Sequence, residues 1–266
     1  MTKLPVSVCM ISGAEATRIR RALESVAAWA SEVIVVLNEE VCDGTDGVAA
    51  EFGARVFREP WKGHVAQKNS ALDKATQPWI LGLDADEVVS PELRQEIHEA
   101  IERETNAPGH VAYSFPRCTQ FCGRWIRHGD WYPDRKVRLW RRGQGRWGGI
   151  DPHDKAIVSG RVGRLHADLL HYSMESLDHC VRKQLAYSED FVRDARRRGR
   201  GISLAELWIR PLWRFVRAYF LRLGLLDGWQ GYSIAWLTAF HTFLRYAKVR
   251  ESTEAGPKPC PEHPGR

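Results

Sequence analysis

The sequence predicts an α/β fold, a mostly parallel sheet flanked by helices and followed by a C-terminal amphipathic helical extension. Three observations predict it. Short apolar runs at Val6–Ile11, Val33–Leu37 and Trp79–Leu83 read as strands covered on both faces. Helical stripes separate them, so consecutive strands lie parallel and are joined by right-handed crossovers. From Ser176 onward the periodicity is helical, and aromatic residues alternate with arginine.

The elements follow in order. After Val6–Ile11, Ser12 is placed to cap a helix on which Ile19, Ala22, Leu23, Val26 and Ala27 form one stripe. Val33–Leu37 is the second strand. Asp43, Gly44 and Thr45 make a turn into a short helix carrying Val48, Ala49 and Phe52. Arg55–Phe57 is a third strand, His64–Ala75 the next helix, and Trp79–Leu83 a fourth strand that ends at Asp84. Ligands of such a sheet sit beyond the strand carboxyl ends, so the loops after Ile11, Leu37 and Leu83 gather around one crevice. Pro91–Arg103 reads as a helix, and His110–Arg117 and Arg135–Arg142 as strands around a loop dense in Trp, Arg and Gly. Ser176–Arg198 is helical, and Gly201–Lys248 holds much of the aromatic content. Residues 251–266 carry four prolines and little apolar material, as in a disordered tail. The expected division is a sheet domain over 1–175, a helical extension over 176–250 and the tail over 251–266.

With 44% hydrophobic and 27% charged residues, the 266-residue chain has a globular composition and enough length for a substantial core. A formal charge of +6 favours an anionic partner: nucleic acid, acidic lipid or a phosphorylated sugar. The cysteines, Cys9, Cys42, Cys118, Cys122, Cys180 and Cys260, are scattered, which suits reduced thiols in a cytosolic protein. Cys118 and Cys122 read as structural. Met1–Val8 lacks a basic segment followed by an apolar core, so no signal peptide is expected. No window of about 18 uninterrupted apolar residues occurs, and no transmembrane helix is expected.

The run Leu81-Gly82-Leu83-Asp84-Ala85-Asp86-Glu87 carries the strongest chemical signal. A buried strand delivers two carboxylates to the crevice, and such oxygens suit Mg²⁺ or Mn²⁺ holding a diphosphate. An acidic loop capping the next helix is the plainer reading. Val6–Ile11, Glu32–Thr45, Trp61-Lys62-Gly63 with Gln67-Lys68-Asn69, and Asp84–Glu87 occur in the order seen in family 2 glycosyltransferases. The chain resembles that family's GT-A (Rossmann-like) fold over nearly its whole length. It is similar to the branch of lipopolysaccharide core glycosyltransferases of the WaaE/KdtX type. Gln67-Lys68-Asn69 followed by Asp84-Ala85-Asp86-Glu87 carries that likeness, as does Pro211–Phe215 leading to Leu226-Asp227-Gly228-Trp229.

The resemblance implies an inverting, metal-dependent transfer of a hexose or heptose from a nucleotide-sugar. A UDP-sugar is favoured, with ADP-heptose as the alternative. Asp84 would contact the ribose or the metal, Asp86 would be the principal ligand of Mn²⁺ or Mg²⁺, and Lys68 would reach the base or diphosphate. Glu15 matches a carboxylate near the nucleotide. Two departures bear on the nucleotide's identity. Asn38 stands where an Asp is common, although it still donates and accepts hydrogen bonds, and Ala14 stands where Asn is common. The pair His153-Asp154 lies where relatives carry His-Glu or His-Asp, which makes Asp154 the expected base and Asp151 the runner-up. A simple turn at Asp151–Asp154 explains the same composition. His171 is a candidate third metal ligand or a packed structural histidine. Arg135, Lys136 and Arg138 either bind a diphosphate or anionic acceptor, or form a solvated face.

Trp208, Trp213, Phe215, Tyr219, Phe220, Trp229, Tyr232, Trp236 and Phe240 are interleaved with Arg210, Arg214, Arg217 and Arg222. Helices of this kind lie in the lipid headgroup layer without spanning it, or else pack against the sheet domain. Arg196-Arg197-Arg198-Gly199-Arg200 adds attraction to anionic lipid. The expected partner is then a lipid-linked saccharide, with lipopolysaccharide inner core as the leading case, and the expected location is cytoplasmic, peripheral at the inner face of the cytoplasmic membrane. Polyprenyl phosphate, capsule or protein acceptors keep the same fold, and a catalytically silent nucleotide-binding scaffold is a further alternative. A nucleic-acid-binding protein is disfavoured by the carboxylates at the strand end.

Overall fold

The computed structural model describes residues 3–151, 153–174 and 176–254. The chain divides into two compact units, one of residues 3–120 and 133–173, the other of residues 121–132 and 174–254.

The first unit opens with β1 (Leu4–Ser12), α1 (Ala16–Val26), β2 (Ala30–Asn38), α2 (Thr45–Glu51), β3 (Arg55–Glu59), α3 (His64–Asp73) and β4 (Trp79–Gly82). The strands lie in the order β3-β2-β1-β4, all parallel, as a chain of strand–helix–strand crossovers requires. Their continuous apolar character follows from burial on both faces. Val6, Val8 and Met10 of β1 face one core with α1 and with α4 (Pro91–Asn106). The alternate residues Cys9 and Ile11 face a second core with Ala71 and Leu72 of α3.

The sheet then continues with a different polarity. It adds β5 (Glu87–Val89), β6 (Ala112–Phe121), β8 (Asp134–Arg141), β11 (Val162–Arg164) and β12 (Leu169–Met174). Strand β8 runs antiparallel between β4 and β6, and β5 runs antiparallel to β12. A separate antiparallel hairpin joins β9 (Gly145–Ile150) to β10 (His153–Val158). The sequence pattern gives no sign of β5, β9, β10, β11 or β12, because these strands are three to six residues long and none carries a continuous apolar run like those of β1 and β2.

Ser12 does not cap α1. It ends β1, paired with Leu37 of β2, because the parallel ladder extends one residue past the apolar run. The cap comes instead from the neighbouring loop, where Asp43 Oδ2 accepts from the Ala16 amide at 3.1 Å. Asp43 Oδ1 also takes the Thr45 amide and hydroxyl, so one carboxylate ties the loops after β1 and β2 together. Helix α4 is capped by a serine side chain, with Ser90 Oγ accepting from Leu93 N and Pro91 at the first turn.

The second unit holds the short strand β7 (Arg124–Trp125) and three helices, α5 (Leu177–Arg197), α6 (Leu204–Val216) and α7 (Gly228–Glu254). Phe121, Ile126, Cys180 and Ile234 form one of its small cores, and Val192, Ala195, Ile202, Tyr246 and Val249 the other. Asp227 organises the turn before α7 by accepting from the Arg127 and His128 amides. Among the described residues no helix is long and apolar enough to cross a membrane. Residues 251–254, placed in the expected tail, close α7; the rest of that tail, with Cys260, lies outside the described residues. The other five cysteines are free thiols.

Candidate active site

The parallel strands bring the ends of β1, β2 and β4 to one edge. Ser12 pairs with Leu37, Cys9 pairs with Gly82, and the Leu83 amide still donates to Cys9 O. Asp84 is the second residue beyond β4, and its carboxylate is held from two sides. Lys68 Nζ lies 2.7 Å from Oδ1, and Arg138 Nη2 lies 2.6 Å from Oδ2. Burial alone would push the Asp84 carboxyl up, but the adjacent Arg138 and Lys68 charges hold it well below the ordinary 3.8.

Lys68 is buried on α3 and bridges to a second carboxylate, Asp154 Oδ2 on β10, at 2.8 Å. The same ammonium sits 4.5 Å from the centre of the Trp147 ring, and the Arg138 guanidinium sits 5.1 Å from it. Trp147 is fixed by a reciprocal pair with Asn69. Its amide donates to Asn69 Oδ1 at 3.0 Å, and Asn69 Nδ2 donates to its carbonyl at 2.9 Å. The hairpin is thereby clamped to α3, and Gly82 leaves room for the indole: a Cβ there would meet Trp147 at 2.5 Å.

Arg138 is buried, and its charge is directed inward. Besides Asp84 it reaches Glu87 Oε1 at 2.8 Å, and Glu87 is fully buried. Arg117 adds a contact to Glu87 at 3.3 Å and reaches Asp134 at 2.7 Å. Glu87 Oε2 accepts the Asp84 amide, so this network sets the backbone of the acidic loop as well as its side chains. Glu87, Arg117 and Trp147 were not singled out from the sequence. Glu87 lies within the acidic run, but Trp147 had no signal beyond its Gly-rich surroundings.

Asp86 and His171 make a second pair, with Nε2 3.3 Å from Oδ2 and Thr119 Oγ1 3.1 Å from the other ring nitrogen. The carboxyl of Glu15, at the start of α1, is pushed above its ordinary 4.5 by burial and then by the charges of Asp86 and Asp84. Three carboxylates and an imidazole therefore share this edge. Asp86 and His171 are the pair with donor atoms suited to a hard divalent ion. Among the described residues no three His, Cys, Asp or Glu side chains close into a ready-made metal cage.

The remaining candidates have other neighbours. Asn38 ends β2, and its Oδ1 accepts from the Glu40 amide at 3.4 Å in a local turn. Asp151 Oδ1 accepts from Val65 N at 2.9 Å, satisfying an amide in the first turn of α3. Arg135 does not join the cluster: its Nη2 donates to the backbone carbonyls of Ser114 and Leu165. Lys136 pairs with Asp134 at 3.0 Å.

A parallel half-sheet with a carboxylate pair at its open edge, continued by antiparallel strands, is the GT-A fold of sugar transferases. The chain belongs to glycosyl transferase family 2, whose model matches residues 7–157, a span running from β1 into β10. A glycosyltransferase of Rickettsia felis is 32% identical over 262 residues, covering 93% of this chain and 90% of its own length. The lipopolysaccharide core biosynthesis glycosyltransferase LpsC of Rhizobium meliloti is 29% identical over 265 residues, covering 96% of each chain. Among solved structures, the mannosyltransferase PcManGT of Pyrobaculum calidifontis, in complex with GDP-Man and Mn²⁺, matches with a TM-score of 0.51 at 14% identity. That match covers 96% of this chain and 76% of that one.

Proposed function

We propose that this glycosyltransferase is an inverting enzyme that moves a hexose or heptose from a nucleotide-sugar to a lipid-linked saccharide. Lipopolysaccharide inner core is the proposed acceptor, met at the inner face of the cytoplasmic membrane. The likeness to LpsC along the whole chain supports the acceptor. The observation that carries the reaction is the position of Lys68, a buried ammonium between Asp84 and Asp154 at the open edge of the sheet.

In this reading Asp154 is the base. It takes the proton of the acceptor hydroxyl while that oxygen attacks the anomeric carbon from the face opposite the diphosphate. The new bond joins the acceptor oxygen to the anomeric carbon, and the bond to the diphosphate oxygen breaks. Lys68 faces the anionic donor and exchanges a carboxylate for a phosphate oxygen, which frees Asp154 from its ion pair. Glu15, Asn38 and Asp84 line the nucleotide side, with a UDP-sugar as the first donor to try and ADP-heptose the second. Asp86 and His171 would hold Mn²⁺ or Mg²⁺, with Asp84 beside them, and the ion would supply charge neutralisation at the departing diphosphate. Asp151 acts through the α3 amide it satisfies.

A thermal-shift screen of UDP-, GDP-, ADP- and CMP-sugars, each with and without Mn²⁺, tests the reading. The expected result is stabilisation that needs both the ion and one nucleotide class. Folded protein that responds to none of the pairs would refute donor binding.

A further inference from the structure

The helical unit carries an apolar face that its own helices do not cover. No residue of α6 is buried, and Trp208, Ile209, Leu212 and Trp213 are exposed, Trp208 by 69%. Trp236 and Phe240 of α7 are exposed as well. A patch of this kind needs an apolar partner.

The same unit carries cations in excess over carboxylates. Arg200 and Arg210 share Glu206, at 3.7 and 3.0 Å. Arg214, Arg217 and Arg222 share Asp130, at 3.2, 3.7 and 3.5 Å. Arg245 has no carboxylate partner among the described residues. Arg210 of α6 and Arg245 of α7 both stand against the Tyr246 ring, 5.9 and 5.4 Å from its centre. The crowding is felt by its neighbours. Burial, Arg245 and Arg214 together bring His241 down to about 4, and burial with Arg214 lowers Arg245. A protein partner for such a face would have to bring both an apolar groove and several carboxylates. A membrane of anionic phospholipid brings phosphates and acyl chains together.

We propose that this face of α6 and α7 docks on an anionic phospholipid surface, with Arg210, Arg214 and Arg245 meeting headgroup phosphates and Trp208, Ile209, Leu212 and Trp213 entering the headgroup–acyl boundary. Helix α6, with 13 residues, spans about 20 Å and lies in the plane of that boundary. The proposal deepens the lipid-acceptor reading above and rests on it for its biological sense, while its test needs no catalysis.

The test is cosedimentation of the full chain with phosphatidylcholine vesicles, with and without phosphatidylglycerol. The expected result is binding that requires phosphatidylglycerol. The double variant Arg210→Gln/Arg245→Gln should weaken it about 25-fold, at roughly a factor of five per charge. Trp208→Ser/Leu212→Ser should abolish it with an unchanged unfolding temperature, since both side chains are exposed. Equal binding to both vesicles, or full binding by the serine variant, overturns the proposal. Inorganic phosphate that releases the protein and moves the His241 NMR signals as vesicles do would also overturn it, by reassigning the cations to a soluble phosphorylated ligand. Nucleotide-sugar binding measured on the same variants separates the two readings. Loss of vesicles with donor binding intact upholds the docking face whichever acceptor the enzyme uses.

Discussion

Lys68 Nζ donates to Asp154 Oδ2 at 2.8 Å, although 86 residues separate them in the chain. The contact joins α3 to the β9–β10 hairpin, and Asp84 accepts from the same nitrogen. Removing the ammonium leaves the half-buried Asp154 without its cation, whereas Asp84 keeps Arg138. Lys68→Met should therefore cost about 3 kcal/mol, read by urea unfolding. Adding Asp154→Leu to Lys68→Met should recover part of that loss, because the stranded charge goes with it. Strict additivity of the two substitutions would show that the pair is not coupled.

Asp154→Asn keeps an oxygen acceptor for Lys68 and removes the proposed base. Turnover should fall by about 10²-fold or more while the nucleotide-sugar Kd stays within about threefold. Asp151→Asn should leave turnover near normal and lower stability by about 0.5–1 kcal/mol, since that carboxylate satisfies an amide of α3. Steady-state kinetics with donor titration distinguishes the two residues. A reversed pattern would exchange their roles.

Much of this was legible in the sequence, and the limits have physical causes. Strands β1, β2 and β4 announce themselves because they are covered on both faces, and the acidic run stands out because a buried strand leads into it. Lys68 was legible as a cation aimed at the crevice. Its bridge to Asp154 was not, because the hairpin that brings β10 to α3 carries no strand signal: β9 is rich in glycine and β10 opens on three polar residues, His153-Asp154-Lys155. Arg138 and Arg135 looked alike as alternating arginines on one strand. Burial separates them: the first closes on Asp84 and Glu87, the second on backbone carbonyls. On α6 the aromatic–arginine pattern was plain, but that none of its residues is buried is a fact of packing that periodicity does not encode.

Acid should unfold the protein at the carboxylates held low in the fold. Three hydrogen-bonded partners, Lys74 first, bring Glu59 to about 2, and the Gly109 and His110 amides and the Tyr113 hydroxyl outweigh burial to bring Glu104 to about 2. Asp84 is lowered as well. Each contributes stability that is full above its unfolded value near 4 and is lost as the pH falls through its folded value. Stability should thus hold at neutral pH and drop between about pH 4 and 2. Glu15 has the opposite sign, because its folded value is raised: the ionised form opposes folding as the pH rises. Glu15→Gln should stabilise the protein at pH 7 and lose that advantage below about pH 4, as followed by thermal unfolding across pH.

The metal role proposed for Asp86 and His171 is separable from folding. Asp86→Ala should abolish Mn²⁺-dependent transfer in protein that remains folded, as checked by circular dichroism beside the assay. His171→Ala should raise the Mn²⁺ concentration for half-maximal turnover by about 10-fold. Near-normal turnover by Asp86→Ala would place the ion elsewhere.

Gly82 offers the most direct test of how the hairpin supports the site. A Cβ at this position would come within 2.5 Å of Trp147 and 3.0 Å of Trp140. Trp140 is fully buried, so the strain must move Trp147, the ring against which Lys68 and Arg138 rest. Trp147 is in turn fixed by its backbone to Asn69, so the displacement is transmitted to α3 and to Lys68 itself. Gly82→Ala should cost about 1–3 kcal/mol from overpacking and weaken donor binding along with it. Asn69→Ala, which loosens the same hairpin without crowding the strand, should weaken donor binding in the same direction. Gly82→Ala protein with wild-type donor affinity would show that the indole and the Lys68 ammonium are energetically independent.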